Sequence, residues 1–185
     1  MVKQEISHKD VENLLDDADY LQDEAEAMKY VIDSVPYDES PPDGMSILEM
    51  LQLIDHAQVS YFRPVVENVL LENRLQKLSE YEHYSDSFET LENNKKEKPD
   101  VQKTLNRIIK HRAALLNIFD NISLIDWERK LRDDSGEEIY LYEFANRLIR
   151  DERKILREIA DLVMIYQNEK QHQREINRKA SDRNK

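Results

Sequence analysis

Pro42-Asp-Gly-Met-Ser-Ile-Leu-Glu-Met-Leu51 is the stretch on which the fold class turns. Ser46 and Glu49 have the spacing of a capping box. The serine hydroxyl accepts a free amide at a helix start, and the glutamate accepts from the serine amide in return. An apolar stripe follows at once, through Ile47, Met50, Leu51, Ile54, Ala57, Tyr61, Val65 and Val69, so this is the opening of a long amphipathic helix. Pro64 falls inside that pattern and predicts a kink or a local bend, because proline has no amide hydrogen to give the ladder.

Working outward, the same periodicity recurs. Val11, Leu14, Ala18, Leu21, Ala25, Met28 and Ile32 alternate steps of three and four, predicting a first helix over about 9–35. The loop from Val35 to Gly44 uses three of the five prolines and one of the two glycines. After the second helix the pattern fails over about 77–100, where Glu82 and His83 sit side by side. So long a polar link suits a crossover between helices that run parallel. Val101, Leu105, Ile108, Ile109, Leu115, Leu116 and Phe119 restore the pattern in a third helix. A short amphipathic piece over Leu124–Leu131 holds the single tryptophan, Trp127. A turn containing Gly136 leads to a fourth helix with the stripe Leu141, Ala145, Leu148, Ile155, Ile159, Leu162 and Tyr166, broken at Asp151 and Glu152.

The expected architecture is all-α: a four-helix bundle over residues 1–167, and a charged C-terminal extension over 168–185, helical or disordered. No fixed-period repeat points to a solenoid. Two glycines in 185 residues exclude a glycine-rich phosphate loop and the many tight turns of an all-β fold. The absence of cysteine leaves His, Asp and Glu as the only metal ligands to consider. With 39 acidic and 27 basic residues the net charge is −12, which argues against nucleic acid and membrane surfaces as partners. The exception is the segment 168–185, with six basic and three acidic side chains, which could dock an acidic partner or serve as a solubilising end. No stretch has the apolar length of a membrane span, and the N-terminus lacks the apolar core of a signal peptide, so a cytoplasmic protein is expected.

Chemistry in a bundle is built from polar residues that interrupt the inward stripes. His56 beside Asp55, the pair Asp151 and Glu152, and His111 in Lys110-His-Arg are the candidates. A carboxylate on a core stripe must find a partner, and Arg147 or Arg150 could supply it without any catalysis. No His-x-x-x-His or His-Glu-x-x-His grip occurs. Tyr20, Tyr30, Tyr61, Tyr81, Tyr84, Tyr140, Tyr142 and Tyr166 could line a pocket but read better as amphipathic edges of the core.

The order of these features resembles the DinB/YfiT superfamily of four-helix bundles, over most of residues 10–166. Pro42–Leu51 is similar to that family's Gly-x-Trp-Ser-x-x-Glu-x-Leu opening of the second helix, with Met45 in place of the tryptophan. Trp127, then Tyr140-Leu-Tyr-Glu-Phe-Ala145 and Asp151-Glu-Arg-Lys-Ile-Leu-Arg-Glu-Ile159, resemble its fourth-helix region, where the family has His-Glu-x-x-His-x-x-Gln-Ile. The resemblance implies an up-down-down-up bundle that holds a divalent metal, nickel or zinc, on three histidines and acts as a hydrolase or thiol transferase. Those three positions fall here on Leu53, Asp151 and Ile155, and the family glutamine falls on Glu158. Two of the three cannot ligate a metal. The expectation is therefore a bundle without the family's metal or another cofactor, a non-catalytic binding or stress-related protein, most simply a homodimer with an unidentified small-molecule ligand. The alternative is a metal-dependent hydrolase or thiol transferase with a rearranged metal site around His56 and Asp151 or Glu152.

Overall fold

The computed structural model describes residues 6–42, 44–72, 74–81 and 100–183. The first helix, His8–Met28, is capped by Ser7, whose side chain accepts from the Asp10 amide while Asp10 accepts from the Ser7 amide; a short 3-10 turn, Ile32–Ser34, extends it. The second opens as its sequence demands: the Glu49 amide donates to Ser46 Oγ at 3.2 Å and the Ser46 amide to Glu49 Oε2 at 2.8 Å. It then runs in three pieces, Ile47–Ala57, a π-helical turn Gln58–Phe62, and Arg63–Leu71. The π turn is how Pro64 is absorbed. The Arg63 amide reaches back five residues to the Gln58 carbonyl, so the ladder is re-phased just before the residue that cannot donate. The third helix is Val101–Asp120, capped by Asp100. The fourth, Leu141–Arg183, continues far past the last residue of the apolar stripe.

The ends of the helices fix their directions. Gln102 Nε2, at the start of the third helix, donates to the Lys29 carbonyl and to Asp33 Oδ2, at the end of the first. Arg129, just beyond the third helix, donates from one guanidinium nitrogen to the carbonyls of Val69 and Leu70 at the end of the second, at 3.1 and 3.0 Å. The Tyr142 hydroxyl, at the start of the fourth, donates to the Asp10 carbonyl at the start of the first. The second and third helices therefore run parallel and the first and fourth run opposite to them, an up-down-down-up bundle. The first and second helices each pack mainly on the third and fourth, so the first lies diagonally across from the second and the third across from the fourth. A long link is what returns the chain from the end of the second helix to the start of the third, so that the two can run parallel. Residues 82–99 of the link, with Glu82, His83 and Tyr84, lie outside the described residues.

One element departs from an all-helical pattern. β1 (Gln76–Lys77) pairs in parallel with β2 (Lys130–Arg132), which pairs antiparallel with β3 (Glu138–Tyr140), Leu131 facing Ile139. The piece expected to be amphipathic over Leu124–Leu131 is a 3-10 turn, Asp126–Glu128, running into β2. Strands of two or three residues show no alternation to read. Between β2 and β3 the Gly136 amide donates to the Asp133 carbonyl and the Asp133 amide to the Glu137 carbonyl, with Gly136 at φ +87°. That is a tight turn closed by a left-handed residue, for which glycine is suited. The sheet clamps the exit of the second helix to the entry of the fourth. Beneath it Trp127 is fully buried, edge-on to Phe119 and Tyr142.

No helix among the described residues is long and apolar enough to cross a membrane.

Candidate functional site

Three inward rows meet at one level of the bundle with polar residues. On the second helix the row is Ile47, Leu51, Ile54 and then Gln58; on the third it is Leu105, Ile108, Arg112, Leu115 and Phe119; on the fourth it is Leu141, Ala145, Leu148, Glu152, Ile155 and Ile159. Steps of three and four put Gln58, Arg112 and Glu152 squarely in these rows. All three are buried, Glu152 at 0 %, Gln58 at 2 % and Arg112 at 3 % exposure.

They are joined. Arg112 forms an ion pair with Glu152 through Oε2, and Gln58 Nε2 donates to Glu152 Oε1 at 2.9 Å. Each carboxylate oxygen is thus engaged by a different helix, and one buried anion ties together helices two, three and four. An ion pair so placed has lost its hydration and persists because each charge answers the other. The π-helical turn that absorbs Pro64 begins at Gln58.

The residues singled out in the sequence lie as follows. Leu53, at 6 % exposure, and Ile155, at 8 %, are packed into the hydrophobic core. Asp151 is exposed. Burial of its inner side nevertheless raises its carboxyl above the ordinary carboxylate value, against the lowering effects of Arg150, Lys154 and Arg147. Glu152, one residue on, is the side chain that turns inward, so the fourth helix does not bring both carboxylates to one place. His56 is half-buried and two residues before Gln58, a separation that puts side chains on different faces of a helix. Its neighbour Asp55 is paired with Arg107 of the third helix at 2.7 Å. His111 is half-buried beside the inward Arg112. The arginine that meets the inward carboxylate is neither Arg147 nor Arg150 but Arg112, across the bundle, while Arg147 pairs with Asp133 at 3.2 Å. A signal for Arg112 was present in the gap it leaves between Ile108 and Leu115 in the apolar row.

Tyrosines serve as core edges and ties. Tyr61 packs against Phe62 and Phe144, and burial pushes its phenol up to about 12, with the Asp134 carboxylate adding to the rise. The Tyr81 hydroxyl joins Asn68 to Gln76, whereas Tyr20 and Tyr30 are exposed.

These side chains do not fit a divalent metal. Leu53 and Ile155 offer no donor atom, Asp151 points outward, and the one inward carboxylate already holds a guanidinium whose charge would repel a second cation. Among the described residues no three His, Cys, Asp or Glu side chains are gathered closely enough to hold a metal ion.

No family model matches the sequence, and no curated protein matches it. The fold does have a known counterpart. YfiT from Bacillus subtilis, described as a probable metal-dependent hydrolase with an unusual four-helix bundle topology, superposes with a TM-score of 0.69. The match covers 88 % of this chain and 90 % of that one, at 14 % sequence identity. The chain thus shares the YfiT-like four-helix bundle fold, the fold that the second-helix opening and the order of its motifs anticipate.

Proposed function

We propose that this protein is a DinB-like bundle in which an internal ion pair stands in place of a catalytic metal, and that it acts by binding rather than by metal-dependent hydrolysis. The observation that carries this reading is the Arg112–Glu152 pair with Gln58, at the level where the inward rows of three helices meet. A bundle interior needs a positive charge to hold an inward carboxylate, and a guanidinium supplies it permanently, since arginine is not deprotonated in proteins. A fixed internal cation keeps three helices in register but leaves no open coordination position for a substrate or a water. The packed Leu53 and Ile155 support the same reading.

The test is elemental analysis of the full chain, purified without an affinity tag, before and after incubation with nickel or zinc. Less than a tenth of an equivalent, roughly, is expected to remain after desalting, with no change in thermal midpoint, because a ligand that binds only the native state raises it. Stoichiometric nickel, zinc or iron retained through desalting overturns the reading.

A further inference from the structure

The fourth helix spans 43 residues, about 64 Å, against 21 residues and about 32 Å for the first. Its continuation is bare: residues 168–179 are all exposed, with Lys170 donating to the Ser34 carbonyl where the helix leaves the bundle. A helix of this length with no packed face is marginal in water, since helix stability in proteins comes mostly from burying an apolar stripe.

A stripe is present. Leu162, Ile165, Glu169, His172, Ile176 and Lys179 follow one another at steps of three and four, the seam of a two-helix coil, and Ile165 and Ile176 are about half exposed. The lower end of this seam opens onto a groove of about 520 Å³ between the fourth helix and the start of the second. Met45, Met50, Leu162 and Ile165 form its floor, and Glu158 and Asp161 its acidic rim.

We infer that the occupant of this groove is the basic end of the same helix from a second copy, the two helices pairing antiparallel about a two-fold axis between residues 170 and 171. In that register Ile165 meets the partner's Ile176, and Glu169 meets the partner's His172. Leu162 lies under the stem of the partner's Lys179, whose ammonium reaches the Asp161 and Glu158 rim. The layers thus pair isoleucine with isoleucine, a carboxylate with an imidazole that can donate to it, and a leucine with an aliphatic lysine stem. Parallel pairing would set Glu169 on Glu169 and Lys179 on Lys179, so like charge disfavours it. The charges of the whole chain agree: residues 168–185 carry +3, which leaves −15 on residues 1–167. The inference is independent of the metal-free reading of the bundle interior.

The chain has no cysteine, so register can be read directly. Full-length Ile165→Cys and Ile176→Cys proteins are treated with a short bismaleimide, singly and mixed, and the unmodified protein is sized by sedimentation over a range of concentrations. The expected result is a dimer that cross-links in the mixture and in neither variant alone. Ile165→Asp and Ile176→Asp should each weaken dimerisation by at least about tenfold, because a carboxylate is driven into the seam, while the bundle itself still unfolds cooperatively. A monomer at every concentration, self-cross-linking by each single variant, or a dimer indifferent to both aspartates overturns the proposal.

Discussion

The ion pair inside the bundle makes a prediction that can be worked through in numbers. Arg112 is 3 % exposed and Glu152 fully buried, so neither side chain can turn to water when the other is removed. Arg112→Met leaves a buried carboxylate held only by the Gln58 amide, and Glu152→Leu leaves a buried guanidinium; breaking such a pair from one side costs about 3–5 kcal/mol. Against a total stability of about 5–15 kcal/mol, either change removes a large share. The double variant loses both charges together and fills the space with apolar atoms, an exchange that is often neutral or better. What remains unmet is the Gln58 donor, about 1–3 kcal/mol, and adding Gln58→Leu should recover most of that. The double variant should therefore be more stable than either single one, with a coupling of at least about 3 kcal/mol between the two sites. Equilibrium unfolding in urea, followed by circular dichroism, measures it, provided the slope is the same for all variants. If a single variant is unfolded in buffer, the series is run in a fixed concentration of trimethylamine oxide, which restores compact states without touching the pair. Additive single costs, or a single cost below about 1 kcal/mol, would show that the two charges do not depend on each other and refute the reasoning.

Two further outcomes follow from local geometry. Gly136→Ala should cost about 1–2 kcal/mol, because an alanine at φ +87° is strained even though its Cβ meets nothing within 4 Å, whereas Gly44→Ala should be close to neutral, since that residue does not have positive φ. Thermal midpoints of the two variants decide it, and equal losses would count against the turn assignment. Tyr61 gives an alkaline signature: its phenol ionises at 10.0 when unperturbed and at about 12 in the fold. Its contribution to stability is intact below pH 10 and is lost between pH 10 and about 12, where the unfolded chain releases the proton first. Urea midpoints on either side of pH 10 should fall less in Tyr61→Phe than in the unmodified protein; identical falls would show that Tyr61 is not desolvated.

Much of the fold is legible in one dimension because its causes are local. The Ser46–Glu49 cap, the stripes of the four helices and the turn at Gly136 each depend on residues within a few positions of one another, and each stands where its spacing puts it. Even the parallel run of the second and third helices is foreshadowed by the length of the link between them. The three-stranded sheet is not legible, since β1 and β2 are brought together only by the ends of two helices. Pro64 announces a bend in the sequence, but the form it takes, a π turn over Gln58–Phe62, is visible only in the folded chain, where Gln58 also donates to Glu152 across the bundle.

The interior shows the same division. Sequence determined that the apolar stripe of the fourth helix is interrupted by charge at Asp151 and Glu152, and that Leu53 and Ile155 could not hold a metal. Which of the two acids turns inward, and what meets it there, was decided by the packing of helices two, three and four. A helix carries its side chains around a full circle, so a shift of one residue exchanges interior for surface, and only the neighbouring helices fix that rotation. Asp151 faces water while Glu152 closes on Arg112. The bundle was written along the chain; the pairing of a buried anion with an arginine forty residues away in sequence required the folded arrangement that removes both from water.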